Sequence, residues 1–219
     1  MRTRLWLNGL ALAVAVLLPL TAILAADLKP IKLPQPKTRG GMPLMDALKA
    51  RKSTRELSEK EIPLQVLSDL LWAAFGINRP EEGKRTAPSA LNWQEIDIYV
   101  ALKQGLYIYN PKTNTLDPVL GEDIRSKTGV QPFAGRAPVN LVYVADYGRM
   151  KNAPSEELKD FYSACDCGFI SQNVYLFCAS AGLGTVVRSW IDRKELAKIM
   201  KLRDDQRIIL AQTIGYPRK

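Results

Sequence analysis

"IDIYVALKQGLYIYN", residues 96–110, is the stretch on which the reading of the fold turns. Before it, apolar residues recur at helical spacing. Here the period drops to two. "IDIYVAL" alternates as a strand, "KQG" turns the chain, "LYIYN" runs back, and "PKTN" turns it again before "TLDPV". Working outward, "VNLVYVAD" (139–146) is continuous in Val, Leu and Tyr and reads as a buried strand. "GTVVRSW" (184–190) is short and strand-like, and "QRIILAQTIGYP" (206–217) closes the chain as a further strand.

The segments around these strands are helical. "IPLQVLSDLLWAAFGI" (62–77) places Pro63 in a first turn and Leu64, Leu67, Leu70, Leu71, Ala74 and Phe75 on one face, with Gly76 as the stop. "LMDALKARKS" (44–53) is a short amphipathic helix with Leu44, Met45 and Leu48 on one side. "SEELKDFYSACDCGFISQNVYLFCASAG" (155–182) is one long helix or two in succession. Ser155, Glu156 and Glu157 form a capped, acid-rich first turn. Its stretch from Phe169 to Ala181 is apolar on most sides, which predicts burial. "DRKELAKIMKL" (192–202) carries Asp192 and Glu195 in a capping-box spacing. "NRPEEGKRTAPSALNWQE" (78–95) reads as a polar loop. The fold class is α+β, a single sheet between helices.

The 219 residues, 47% hydrophobic and 24% charged, suit one globular domain. Residues 1–26 stand apart from it. "MRTR" followed by "LWLNGLALAVAVLLPLTAIL" and "AA" reads as a secretory signal peptide cut after Ala26; an uncleaved N-terminal membrane anchor is the alternative. No Cys lies at the cleavage region and no Arg-Arg pair precedes it, which points to the general secretory route and a periplasmic product. Residues 27–43, with four prolines and two glycines, form an extended arm lying on a surface or a partner rather than in the core; the domain proper is 44–219.

The leader holds Arg2 and Arg4 and no acid. The 31 bases less these two leave 29 against 22 acids, a net +7 for the remaining chain. That moderate excess suits an anionic ligand and does not by itself indicate nucleic acid; no nucleic-acid motif is present. There is no His, so Ser-His-Asp and Cys-His nucleophiles are excluded in their usual form. Neither a Walker GxxxxGK[ST] nor a GxGxxG occurs. The cysteines, Cys165, Cys167 and Cys178, read as small residues in a packed helix rather than a redox or metal pair, and no metal site is expected. The "GLG" at 182–184 reads as a helix stop at Gly182.

Two candidate binding segments remain. "ARKSTREL" (50–57) puts Arg51, Lys52, Ser53, Thr54 and Arg55 in a row without an acid among them. Guanidinium forks and a hydroxyl suit a phosphate; a solvated basic helix end is the competing reading. In "TAPSALNWQE" (86–95), Pro88, Ser89, Asn92 and Gln94 lead into a strand. Amide groups there suit the edge of a planar heterocycle, or form an ordinary turn.

In sequence order, "ARKSTREL", "LSDLLWAAFGINR", "GKRTAPSALNWQEIDIYVA", "GLYIYNP", "GFISQNVYLFCASAGLGTVVRSWID" and "ILAQTIGYP" resemble the nitroreductase superfamily of FMN enzymes. The likeness runs from about residue 43 to 217 and is nearest the dehydrogenases of thiazole/oxazole-modified peptide biosynthesis. It implies a three-layer α+β sandwich with a mixed or antiparallel central sheet. It also implies a homodimer with FMN at the interface and the long helix at its centre. On this resemblance Arg51, Lys52, Ser53 and Arg55 hold the FMN phosphate and ribityl chain, with Arg218 adding a phosphate contact. Pro88, Ser89, Ala90 and Asn92 of the partner chain line the flavin. The main chain around Arg188, Ser189 and Trp190 approaches its N5 edge. Leu91 and Trp93 bring bulk near the pocket where the peptide-modifying branch has a glycine-rich turn, so azoline oxidation is not implied.

The activity implied is two-electron, ping-pong transfer to or from a small organic substrate, with NAD(P)H as a possible donor. No catalytic side chain is assigned. A flavin-binding or scavenging protein without turnover is the alternative.

Overall fold

The computed structural model describes residues 28–218. The leader, with its signal-peptide and anchor readings, lies outside the described residues. Among those described, no helix is long and apolar enough to cross a membrane.

The hairpin that opened the reading forms as expected. β4 (Ile96–Leu102) and β5 (Gly105–Asn110) pair antiparallel, with Leu102 opposite Gly105. β6 (Thr115–Leu120) continues the meander. β7 (Val139–Asp146) lies on the other side of β4 and is buried along its whole length. β9 (Gln206–Gly215) pairs with β7, and β8 (Gly184–Arg188) with β9. β1 (Ile31–Lys32) joins the outer edge of β6, giving the order β1-β6-β5-β4-β7-β9-β8. Every pairing is antiparallel. Pro118 is tolerated in β6 because β1 pairs only with Thr115 and Leu116, leaving the Pro118 end as a free edge.

Both faces of the sheet are covered. Ile96, Ile98 and Val100 of β4 join Leu141 and Tyr143 of β7 in a cluster under α2 (Leu64–Phe75) and α4 (Glu156–Ser180). Tyr99 and Ala101 face the opposite way, with Val142, Val144, and Leu196 of α5 (Arg193–Ile199). The result is a three-layer sandwich. Leu67, Leu70 and Leu71 of α2 are fully buried, each contributing about 1.5–3 kcal/mol relative to exposure.

The helix signals hold in most details. α4 is one helix of 25 residues; the Ser155 side chain accepts from the Leu158 amide. It ends at Gly182, in the left-handed region at φ +67°. Asp192 caps α5 through the Glu195 amide, but the Glu195 carboxylate turns outward to Lys127 at 2.9 Å, so only half of the capping box forms.

Three expectations change. The polar loop after α2 contains a small hairpin, β2 (Ile77–Arg79) with β3 (Lys84–Arg85), turning on "PEEG". The proline-rich arm does reach the core. Leu33 is buried, the Pro34 carbonyl accepts from Ser68, and the Lys37 amide donates to Asp69. The apolar half of α4 is not all buried. Ile170, Val174, Tyr175 and Cys178 face inward, whereas Phe169 and, earlier in the helix, Phe161 are exposed. α1 (Leu44–Ala50) packs beside α4 and buries only Ala47; Leu44, Met45 and Leu48 point outward. The helix spacing located these residues on a face but could not say that the face lacks a cover among the described residues.

Candidate functional site

Residues 51–58 leave α1 as an extended strip along the β8 edge of the sheet. Ser53 bridges Thr185 in parallel, and the Thr54 amide donates to the Thr185 carbonyl at 2.9 Å. Further on, Leu57 bridges Pro217, the Ser58 amide donates to the Tyr216 carbonyl, and the Arg218 amide donates to the Glu56 carbonyl. Gly184 makes the approach possible: a Cβ there would lie 2.7 Å from the Leu57 side chain and 2.9 Å from that of Thr54. The strip therefore carries Arg51, Lys52, Ser53 and Arg55 along the sheet edge, with Arg218 tied to its far end.

Among the described residues no carboxylate pairs with Arg51, Lys52, Arg55 or Arg218. Four mutually repelling cations beside an exposed hydroxyl suit an anion with several acceptor oxygens. A residue outside the sequence motif organises them. The Tyr175 hydroxyl of α4 lies 2.8 Å from Ser53 Oγ and accepts from the Val187 amide at 3.0 Å. Its ring supports the Arg51 guanidinium, 5.2 Å from the centroid. Tyr175 was hidden in the sequence as one apolar helix position among many. Tyr175→Phe keeps the ring but leaves the Val187 N–H and Ser53 hydroxyl without this partner. The expected result is a loss of about 1–2 kcal/mol in a urea titration, with the midpoint shifted and the slope unchanged.

The second segment is a constrained turn. Leu91, Asn92 and Gln94 all have positive φ, at 49°, 55° and 49°, where residues with a Cβ are uncommon. Side chains hold it there. Ser89 Oγ accepts from the Gln94 amide at 2.8 Å. Gln94 accepts from Arg85 Nε and donates to Asn92 Oδ1 and the Gly83 carbonyl. Arg149 donates to the Gln94 carbonyl. Pro88 and Asn92 are exposed; Ser89 and Ala90 are half-buried. Leu91 projects into solvent, but Trp93 packs edge-on against Tyr162 of α4 with centroids 5.7 Å apart, so its bulk serves packing.

Beneath this turn lie two carboxyls. Glu95 is fully buried and Asp166 nearly so. Glu95 Oε2 accepts from Ser89 Oγ at 3.3 Å, and Asp166 Oδ2 accepts from the Ala90 amide at 2.9 Å. The two carboxyls are within hydrogen-bonding reach of each other. Burial, reinforced by Asp166, pushes Glu95 up to about 7, and burial raises Asp166 as well. Neither stood out in sequence: Asp166 sits in the "CDC" read as packing residues, and Glu95 precedes a strand. The three thiols are free, and burial pushes those of Cys167 and Cys178 up.

The third segment divides. Arg188 turns its side chain away from the strip and into the core. Its Nε donates to Thr213 Oγ1 at 2.8 Å, Nη1 to the Thr128 carbonyl at 2.8 Å, and Nη2 to Asn140 Oδ1 at 3.0 Å and Thr128 Oγ1 at 3.2 Å. Four of its five N–H donors thereby go to neutral acceptors within the core, and it is the Arg188 main chain that lies along the strip. Burial pushes the guanidinium down to about 10, so it is charged at neutral pH. Ser189 and Trp190 are exposed.

The cation strip and the constrained turn do not meet within one chain. Both are anchored to α4, one at Tyr175 and the other at Asp166. Nine residues separate these anchors, about 13.5 Å along the axis.

An antiparallel sheet between helix layers, edged by an unpaired cation strip and built on a long helix with an exposed apolar face, is the architecture of a class of α+β oxidoreductases. The sequence model of the Nitroreductase family matches residues 48–216, and the chain belongs to that family. It is 31% identical over 172 residues to a candidate nitroreductase of Methanocaldococcus jannaschii, covering 74% of this chain and 85% of that one. A crystal structure of a candidate nitroreductase from Ralstonia eutropha JMP134 superposes with a TM-score of 0.84 at 49% identity, covering 88% of this chain and 91% of the other. The NADPH:FMN oxidoreductase of Vibrio harveyi, complexed with NAD+, shares the fold at a TM-score of 0.59 and 20% identity, covering 80% and 69%.

Proposed function

We propose that this chain is an exported FMN-dependent oxidoreductase acting as a homodimer on a small organic molecule, by ping-pong transfer of two electrons. The observation that carries the reading is the strip of Arg51, Lys52, Ser53 and Arg55, joined by Arg218. It has four cations that pair with no carboxylate among the described residues, and a hydroxyl, fixed on a sheet edge by Tyr175 and Gly184. The donor set fits a phosphate monoester. Membership of the Nitroreductase family, and the fold shared with an NADPH:FMN oxidoreductase, support FMN as the ligand and NAD(P)H as a donor.

When bound, FMN supplies the redox chemistry. The residues of this chain bind and orient it. Arg51 and Arg55 grip the phosphate, and Ser53 adds a hydroxyl. The β8 strip from Arg188 to Trp190 offers main-chain groups. Arg188 stands behind it as a buried positive charge with no acid in contact, which favours negative charge in front of the strip. The separation of strip and turn along α4, with exposed Phe161, Phe169, Leu44, Met45 and Leu48, supports a two-fold pairing. In that pairing the turn of one chain, Pro88, Ser89, Ala90 and Asn92, completes the site of the other. Export rests on the basic and apolar composition of residues 1–26, and implies that FMN is acquired outside the cytoplasm.

Titrating the purified protein with FMN, with light scattering for its mass, tests this reading. The expected result is a dimer taking up one flavin per chain, whose bound flavin bleaches anaerobically with NADH or NADPH. A protein that binds no FMN overturns the proposal. One that binds FMN and resists every donor is a flavin carrier.

A further inference from the structure

The turn that completes the proposed flavin site is held by an acid pair with no balancing cation among the described residues. Glu95 immediately precedes β4 and is fully buried; Asp166 projects from α4 and is 2% exposed. Their contacts reach both ends of one dipeptide, Glu95 to the Ser89 hydroxyl and Asp166 to the Ala90 amide. Every nearby cation is engaged elsewhere. Arg85 bonds Gln94 Oε1 and the Phe75 carbonyl. Arg149 bonds Asp97 and the Gln94 carbonyl. Arg203 bonds Asp146 and Asp205. From α4 the only other titratable group acting on the pair is the Cys167 thiol, kept neutral by burial. From the end of β7, Asp146 presents its amide to the Glu95 carbonyl, while its carboxylate goes to Arg203 and Arg149. Glu95 Oε1 is buried without any donor. Two ionised carboxylates so placed would repel each other, with no cation among the described residues to offset them; one proton supplies the missing donor.

We propose that Glu95 and Asp166 are positioning residues that share one proton and thereby latch the Ser89–Gln94 turn, and that loss of this proton releases the turn. The two acids stand on packed regular structure, Glu95 at the entry to β4 and Asp166 within α4. The element free to yield is the turn, whose Leu91, Asn92 and Gln94 already hold positive φ. The raised titration of both acids agrees with proton sharing and gives the sign. A carboxyl whose folded-state pKa is raised stabilises at low pH. That contribution declines as pH rises from about 4.5 to about 7. The role of the turn at the flavin rests on the function proposed above; the latch does not.

The test is hydrogen exchange of the FMN-free, full-length protein from about pH 6 to about pH 8.5. Wild type is compared with Glu95→Gln, which keeps the shape and donates to Asp166 without needing a proton. Taking the ratio to the variant at each pH cancels the intrinsic pH dependence of exchange. We expect peptides spanning residues 88–95 to lose about tenfold in protection relative to Glu95→Gln, as for a titration shifted by one unit on release. Peptides from β7 should keep a constant ratio. A flat ratio at 88–95, or an equal loss in β7, overturns the latch. If Glu95→Gln does not fold, Asp166→Asn likewise sets one amide donor against one carboxylate and gives the same comparison. FMN affinity over the same range separates the two claims. A matching swing in wild type alone supports latch and flavin role together. An exchange swing with no change in affinity keeps the latch and overturns the placement of this turn at the flavin.

Discussion

Arg51→Ala combined with Arg55→Ala is expected to weaken FMN binding by roughly a hundredfold or more, without unfolding the protein. A charge-assisted hydrogen bond to phosphate contributes about 1.5–3 kcal/mol. Both side chains are at least partly exposed and screened, so the lower figure applies to each. Two such losses give about 3 kcal/mol, or two powers of ten. Little in the fold opposes the change. Arg51 makes a cation–π contact with Tyr175, and its amide bond to the Ala47 carbonyl is main chain and survives. The melting temperature should therefore move little. Raising ionic strength should weaken binding in the wild type more than in the variant, because the variant has lost two of the charges that salt screens. Unchanged affinity in a fluorescence titration would reduce the strip to a solvated helix end.

How far this could be seen in advance depended on the range of the interaction. The meander at 96–120, the two long helices, and the Ser155 and Gly182 boundaries are local patterns of period and capping, and they appear where the sequence places them. The strip was legible because its charge is contiguous. What could not be read depends on contacts distant in sequence. Tyr175 reaches Ser53 across 122 positions, and Asp166 reaches Ala90 across 76. Neither pairing leaves a periodic trace. The direction of the Arg188 side chain was illegible for the same reason: its partners, Thr128, Asn140 and Thr213, lie on three other segments, so nothing near "VVRSW" indicates which way it turns. Apolar spacing likewise marked Phe169 and Leu44 as members of a face, but nothing among the described residues covers that face.

Arg188 carries the largest expected effect on stability. Its guanidinium is 4% exposed and joins the β8–β9 edge to β7 and to the segment at Thr128, through four hydrogen bonds to neutral oxygens. Asn140 Oδ1 retains the Thr213 hydroxyl as a donor at 2.6 Å when the arginine is removed, but the Thr128 carbonyl loses a partner and a cavity opens. The packing is tight. A Cβ on Gly129 would come within 1.7 Å of Arg188 Nη1, so this backbone is shaped around the guanidinium. An unsatisfied buried acceptor costs about 1–3 kcal/mol, and removal of a long side chain adds a cavity penalty of similar size. Arg188→Ala should therefore lose about 3–5 kcal/mol in urea, a large share of the 5–15 kcal/mol typical of a domain. Arg188→Lys cannot rescue it, since one ammonium cannot span the fork. Arg188→Met separates volume from hydrogen bonding: it refills the cavity but leaves the acceptors bare, so it should recover only part of the loss. Because the group stays charged throughout the neutral range, the deficit of Arg188→Ala should be constant from about pH 6 to about pH 8. Full recovery by Met would mean that the arginine is held only for its bulk, and would remove the buried charge from the account of the strip in front of it.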